Sequence, residues 1–321
     1  MKSLLSIVAA CILLIPAGIN AGQWVESNKA NCKIFSTESY SDSRATWSGK
    51  CASGFASGPG TMILYRGGRE TGRYEGSFKS GSQNGRGTFK WADGDKYTGG
   101  FFNGRFHGKG TYTYLNGDKY TGDFFNGFFH GKGTFTYLNG DKYEGDFVKD
   151  ARTGKGTFTF ANGDKYEGDF VNGQRSGKGT WTSSGDQYTG DFVDGIFHGK
   201  GTYTYANGDK YEGDFVKGQR TGKGILSFAR GDIYEGDFLN DARTGKGTLI
   251  FSDGDKYIGD FLNNLRHGKG TLIAANGDKY TGDFLNGKRT GKGTYTCKNG
   301  KRFSGSFKNN KLIGLDIKCN E

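Results

Sequence analysis

A period of 23 residues runs through most of this chain, and no other feature restricts its fold as strongly. The unit opens Tyr-x-Gly-x-Phe, as in Tyr166-Glu167-Gly168-Asp169-Phe170. It continues through a polar loop to Gly177-Lys178-Gly179-Thr180, then a short Thr/aromatic segment and a Gly-Asp turn. Starting tyrosines fall at 74, 97, 120, 143, 166, 188, 211, 234, 257 and 280, and Phe303 takes that place in a truncated last copy. Every step is 23 residues except 166 to 188, where one residue is deleted ahead of Gly185. A degenerate earlier copy begins Trp47-Ser48-Gly49-Lys50-Cys51, with Cys51 at the phenylalanine position and four extra residues before Tyr74.

Alternation within the unit sets Tyr166, Gly168 and Phe170 on one face and Glu167 and Asp169 on the other. In Lys155-Gly156-Thr157-Phe158-Thr159-Phe160, the glycine and both phenylalanines share a face, opposite the lysine and both threonines. Each repeat therefore reads as two strands. The Asn162-Gly163-Asp164 segment between repeats predicts a tight hairpin, because Asn-Gly accepts the positive φ such turns need. Glycine on the aromatic face leaves room for neighbouring rings to lie across the backbone. The predicted fold is all-β: an elongated, single-layer, solenoid-like antiparallel β-meander of tandem hairpins. With two strands per repeat it extends on the order of 100 Å. Composition agrees: 59 glycines, 2 prolines and 15% aromatic residues fit neither collagen nor a flexible linker, and 33% hydrophobic residues are too few for two ordinary cores.

The pattern Tyr-x-Gly-x-Phe/Trp-x-x-Gly-x-x-x-Gly-x-Gly resembles the MORN repeat (membrane occupation and recognition nexus), and the resemblance covers residues 47 to about 314. The opening Cys32 … Trp47-x-Gly-x-Cys51 resembles the start of exported bacterial MORN proteins. That resemblance implies export and a first disulfide between Cys32 and Cys51. On this reading residues 22–46 are an N-terminal cap, residues 47–314 hold about eleven repeats, and residues 315–321 form a tail tied by a disulfide.

Residues 1–21 have the layout of a secretory signal peptide: Lys2, an apolar run from Leu4 to Ile15, and small residues before a cut after Ala21. The expected location is periplasmic or secreted. The alternatives are anchored forms, through an uncleaved apolar run or through lipidation of Cys11 in Val8-Ala9-Ala10-Cys11. Export leaves Cys32, Cys51, Cys297 and Cys319 in an oxidising compartment. Four cysteines permit three connectivities. Pairs 32–51 and 297–319 are favoured because the two ends of an elongated molecule cannot meet. No C-x₂-C pair and no nearby histidine supports a metal site.

The sequence offers no catalytic constellation and no cofactor site. His107, His130, His198 and His267 all occupy one repeat position, where other copies carry Thr153, Ser176 or Thr244, and read as a turn position. Gly-Lys-Gly-Thr is no P-loop, since Gly179 follows Lys178 where Ser or Thr is required. The Asn-Gly-Asp turns lack the bidentate acid of a calcium loop. Kinase domains accompany MORN repeats in some families, but no kinase motif is present here. The chain reads as a non-enzymatic scaffold for protein–protein interaction.

The formal charge of +11 concentrates in the segments between Phe and Gly-x-Gly. These hold Lys79, Arg105, Lys149, Arg152, Arg175, Lys217, Arg220, Arg243, Arg266, Lys288 and Arg289 against Asp150, Asp194 and Asp241. Recurring once per repeat, they predict a basic edge. An anionic lipid or lipopolysaccharide surface is the alternative partner, with Phe106, Phe128, Phe129 and Phe197 of the same segments dipping into the interface. Nucleic acid is not an expected partner of an exported chain. Self-association is a further expectation, if a second sheet is needed to cover the aromatic face.

Overall fold

The computed structural model describes residues 22–37 and 42–319; residues 1–21, read above as a signal segment and holding Cys11, lie outside them. The described residues hold 27 strands and no helix. They fall into two compact units, one within residues 22–138 with 148–150 and one of residues 139–147 with 151–319. From Phe55 onward each unit is an open antiparallel sheet in which a strand pairs with its sequence neighbours; ahead of it Ser43–Trp47 pairs with Phe55–Arg66, and Lys33–Ser36 meets that strand in parallel. In the first, Phe55–Arg66 pairs with Arg69–Lys79, and the series continues to Phe128–Thr136. In the second, Ala151–Thr159 pairs with Lys165–Val171, and the series continues to Lys311–Leu312.

The tyrosine that opens each repeat explains its glycines. Tyr166 lies over Gly168 and Gly179, which face each other across two strands. A Cβ on Gly179 would stand 2.5 Å from the tyrosine Oη, 2.6 Å from Cε2 and 2.7 Å from Cζ. Only glycine permits this approach. The hydroxyl donates to the Asp169 carbonyl at 2.9 Å, so the ring is buried with its polar atom satisfied. Trp47 does the same over Gly49 and Gly60.

Tyrosine and phenylalanine then alternate down each sheet. Tyr166 meets Phe170 of its own repeat at 5.2 Å and Phe192 of the next at 4.9 Å, both edge to face, and Tyr188 continues with Phe192 and Phe215. The ten repeat-opening tyrosines are at most 1% exposed. A single sheet thus hides its opening tyrosines by tiling them over glycine, and their burial needs no second sheet.

The turns depart from the sequence reading. The two-residue hairpin turn lies within the segment predicted as a polar loop. Asn172 and Gly173 have φ of 49° and 83°, as both central residues of a type I′ turn require, and Gln174–Ser183 is strand directly after it. A bulge between Gly168 and Phe170 takes up the extra residue. The Asn162-Gly163 segment forms a longer turn, closed by Gly163 N–H donating to the Phe160 carbonyl and Phe160 N–H donating to Asp164, with only Gly163 at positive φ. Where one residue is deleted, this turn shrinks to the I′ pair Ser184-Gly185, with φ of 49° and 90°.

Aspartates staple successive turns. Asp186 Oδ1 accepts the Ala206 N–H at 2.8 Å and its Oδ2 accepts the Tyr203 hydroxyl at 2.7 Å; Asp95 treats Leu115 and Tyr112 likewise. Disulfides join Cys32 to Cys51 in the first unit and Cys297 to Cys319 in the second. The hairpin of Gln23–Glu26 and Lys33–Ser36 seals the start of the first unit, where Trp24 contacts Phe35 and Phe55.

Candidate interaction surface

The expected basic edge is largely absent as a free surface, because its arginines belong to the aromatic layer. Arg152, Arg175, Arg220, Arg243, Arg266 and Arg289 sit within strands, each with its guanidinium 5.3–5.7 Å from the tyrosine that opens its own repeat. Each also donates to a backbone carbonyl at the next hairpin turn: Arg175 to Gly195 at 3.0 Å, Arg266 to Gly287 at 2.9 Å, Arg220 to Asp241 at 2.8 Å. Arg220 adds a carboxylate bond to Asp241 at 3.1 Å, with both side chains mostly buried. Burial holds Arg175, Arg243 and Arg266 below the ordinary arginine value. Arg105, Lys149, Lys217 and Lys288 remain exposed, at the ends of strands or in the I′ turns.

The loop aromatics are corrected in the same way. Phe106, Phe129 and Phe197 occupy the arginine position in their repeats and stack on Tyr97, Tyr120 and Tyr188 at 3.9, 3.8 and 3.9 Å, nearly parallel. Phe and Arg are interchangeable there because both offer a flat group to the tyrosine face. They cap the core and do not project from it. Phe128, the first residue of its strand, is half-buried opposite Phe125. Sequence reasoning counted charge at this position; the alternation of Arg with Phe was the available signal that it is a packing site.

What each sheet presents outward is the opposite face. There a Lys/Asp ladder runs across the strands, with Lys155–Asp169 at 2.7 Å, Lys178–Asp191 at 2.6 Å and Lys200–Asp214 at 2.7 Å. Each aspartate sits at a bulge, and Asp169 and Asp191 also accept a backbone N–H; Lys155 and the Lys178 N–H together hold Asp169 below the usual carboxylate range. Exposed pairs of this kind contribute about 0–1 kcal/mol each, so the ladder keeps the face soluble and in register more than it stabilises the fold. Beside it run glycine-flanked rows of threonine and glutamate, with hydroxyl pairs such as Thr180–Thr189 at 3.1 Å.

In the second unit this face is hollowed into a groove of about 1070 Å³. Lys200, Lys223, Lys246 and Lys269 line one side, Glu212, Glu235, Ile225, Thr248, Ile258 and Thr271 the other, and glycines lie between. The lysines are ion-paired to Asp214, Asp237, Asp260 and Asp283. The groove can therefore grip a partner by shape, hydroxyls and the carboxylates of its second row. The sequence reading missed it, because only strand pairing brings together rows spaced 23 residues apart.

Asp278, Cys297 and Cys319 bring a carboxylate and two sulfurs within 4.8 Å of one another. The sulfurs form the disulfide, and Asp278 accepts the Lys298 N–H and the Tyr295 hydroxyl, so this cluster is a structural clasp. Among the described residues no helix is long and apolar enough to cross a membrane.

Tandem hairpins with an aromatic core and a charged outer face define a β-hairpin repeat protein. Consecutive matches to the MORN repeat model cover residues 74–96, 97–119, 120–142, 143–165, 166–187, 188–210, 211–233, 234–256, 257–279 and 280–302, and the chain belongs to the MORN repeat family. The MORN repeat is a non-catalytic repeat type. No similar protein is found among the curated proteins. Among solved structures, the TCP domain of SAS-4 (dCPAP) of Drosophila melanogaster, in complex with a proline-rich motif of Ana2 (dSTIL), is 16% identical with a TM-score of 0.27, over 56% of this chain and 85% of that one. The TCP10 domain of Danio rerio CPAP is 10% identical with a TM-score of 0.23, over 74% and 95%. Virginiamycin B lyase from Staphylococcus aureus is 10% identical with a TM-score of 0.15, over 71% and 83%. Agreement this low supports no conclusion about fold or function.

Proposed function

We propose that this protein is a non-enzymatic scaffold of the cell envelope or exterior that holds a protein partner on its outward, charged face. The observation that carries the reading is the division of labour between the faces. One face is consumed by ring packing and by the arginines that cap it, while the other offers a groove of about 1070 Å³ whose lysines are already neutralised. Two terminal disulfides and the signal-like first residues support an exported location. Anionic lipid is disfavoured as the partner, because six of the eleven basic residues of the expected edge have their guanidiniums stacked on tyrosine.

The test is photo-crosslinking in intact cells, with a photoreactive residue at Thr271 in the groove or at Asn172 in a hairpin turn. Crosslinks to protein from Thr271 and none from Asn172 are expected. Crosslinks to lipid, together with co-sedimentation that requires anionic vesicles, would replace this reading with the membrane one.

A further inference from the structure

Along the outward face of the second unit, two adjacent rows are polar through most of their length. Direct cross-strand partners give Thr157, Glu167, Thr180, Thr189, Thr202 and Glu212 in one row. The neighbouring row reads Thr159, Lys165, Thr182, Gln187, Thr204 and Lys210. Lysine and glutamate two residues apart neutralise each other here, Lys165 with Glu167 at 2.9 Å and Lys210 with Glu212 at 2.7 Å.

Over the next four strands this pattern breaks. Ile225 and Ile258 enter the first row, and Ile233 and Ile250, which face each other directly, enter the second. All four are 38–43% exposed. Because Ile233 stands where lysine stood, Glu235 has no ion-pair partner among the described residues; because Ile258 stands where glutamate stood, Lys256 has none either. Ile225, Glu235 and Ile258 line the groove, so an occupant must be narrow enough to enter a hollow.

Resting on the scaffold reading above, we propose that this isoleucine patch is the docking site for a peptide segment of a partner protein. The segment's aliphatic side chains cover the four isoleucines, a Lys or Arg meets Glu235, and an Asp or Glu meets Lys256. The part of these aliphatic side chains left exposed, where the chain elsewhere uses threonine and lysine, gains contact area only against a partner. The opposed charges set the direction in which the segment lies. A second copy of the chain fits less well, since two hollowed faces cannot press together.

Random short peptides displayed on phage and selected against the oxidised full chain test the proposal. The comparison variant carries Ile225→Thr, Ile233→Lys, Ile250→Thr and Ile258→Thr, residues this chain already uses at those repeat positions, so it is expected to fold; circular dichroism and a cooperative unfolding transition check this. Selected peptides should be aliphatic with one base and one acid. They should bind the comparison variant roughly ten-fold or more weakly, and Glu235→Lys should reverse the preference from a basic to an acidic residue. Peptides that bind both proteins equally would overturn the patch while leaving the scaffold reading in place. A dimer in sedimentation that the comparison variant loses would overturn the peptide in favour of a second copy. Absence of any peptide binding, together with absence of groove crosslinks in cells, would overturn both readings.

Discussion

At the scale of single residues, the tyrosine–glycine contact is the tightest constraint in the protein. Gly179→Ala places a methyl within 2.7 Å of three atoms of Tyr166, whose ring is fixed by its own hydrogen bond. A loss of roughly 2–3 kcal/mol is expected, read as a lower unfolding midpoint in denaturant at unchanged m-value. The capping position should behave differently. Arg266→Phe reproduces the Phe-His pair that already stands at Phe197-His198, and should stay within about 1 kcal/mol of the parent protein. Arg266→Ala should cost about 1–2 kcal/mol through the lost stacking and the unpaired Gly287 carbonyl. Equal losses for both variants would show that charge, not flatness, is what the site requires.

Titration belongs to this scale too. Burial pushes Tyr166, Tyr211 and Tyr234 up to about 12. A group raised in the folded state stabilises below its unfolded value of about 10 and loses that contribution as pH rises through the folded one. Alkaline unfolding should therefore fall between about pH 10 and 12, with phenolate absorbance appearing together with loss of the β signal. The carboxylates act at the other end. Bonds from Lys155, Lys223 and Lys269 hold Asp169, Asp237 and Asp283 low. Their contribution is present above about pH 4 and is lost as pH falls through the lowered values. Stability that is flat from pH 8 to 5 and declines below about pH 4, measured by thermal unfolding, is the expected outcome.

At the scale of the element, the hairpin carries information that alternation alone did not give. Alternation in Tyr166–Phe170 and Lys155–Phe160 placed the strands and their faces correctly. It misplaced the tight turn, because Asn-Gly occurs at both ends of a repeat and the bulge opposite Asp169 hides the continuity of the second strand. Lys149-Asp150 and Asn240-Asp241 adopt the I′ conformation without glycine, which no dipeptide rule would have selected. In these repeats the aspartate at the second turn position accepts a neighbouring backbone N–H, Asp150 from Phe129 and Asp241 from Arg220, and that bond compensates the strained φ. The arginines were read as a solvated edge for a related reason: a charge in a segment without regular alternation looks free until the bulge turns it onto the ring face.

At the scale of the molecule, each strand of the tandem repeats packs chiefly on its neighbours within a unit, so stability is a sum of repeats and interfaces. Deleting residues 257–279 joins Lys256 to Tyr280 in the original register and removes one repeat. The shortened chain should fold, with a heat-unfolding midpoint lower by a few degrees. An unfolded product would show that the repeats are not modular. The same arrangement explains why the groove and the isoleucine patch belong to no single repeat.

The periodicity, the strand faces and the need for glycine under an aromatic ring were determined by the sequence itself, because alternation and the absence of a side chain are local properties. The pairing of Cys32 with Cys51 and of Cys297 with Cys319 needed only the added premise of distant ends. Tertiary structure alone decided which turn is tight, that Arg and Phe share one packing role, and that Glu235 and Lys256 lie unpaired among isoleucines. Each of these depends on cross-strand register, and a bulge resets that register where no pattern along the chain records it.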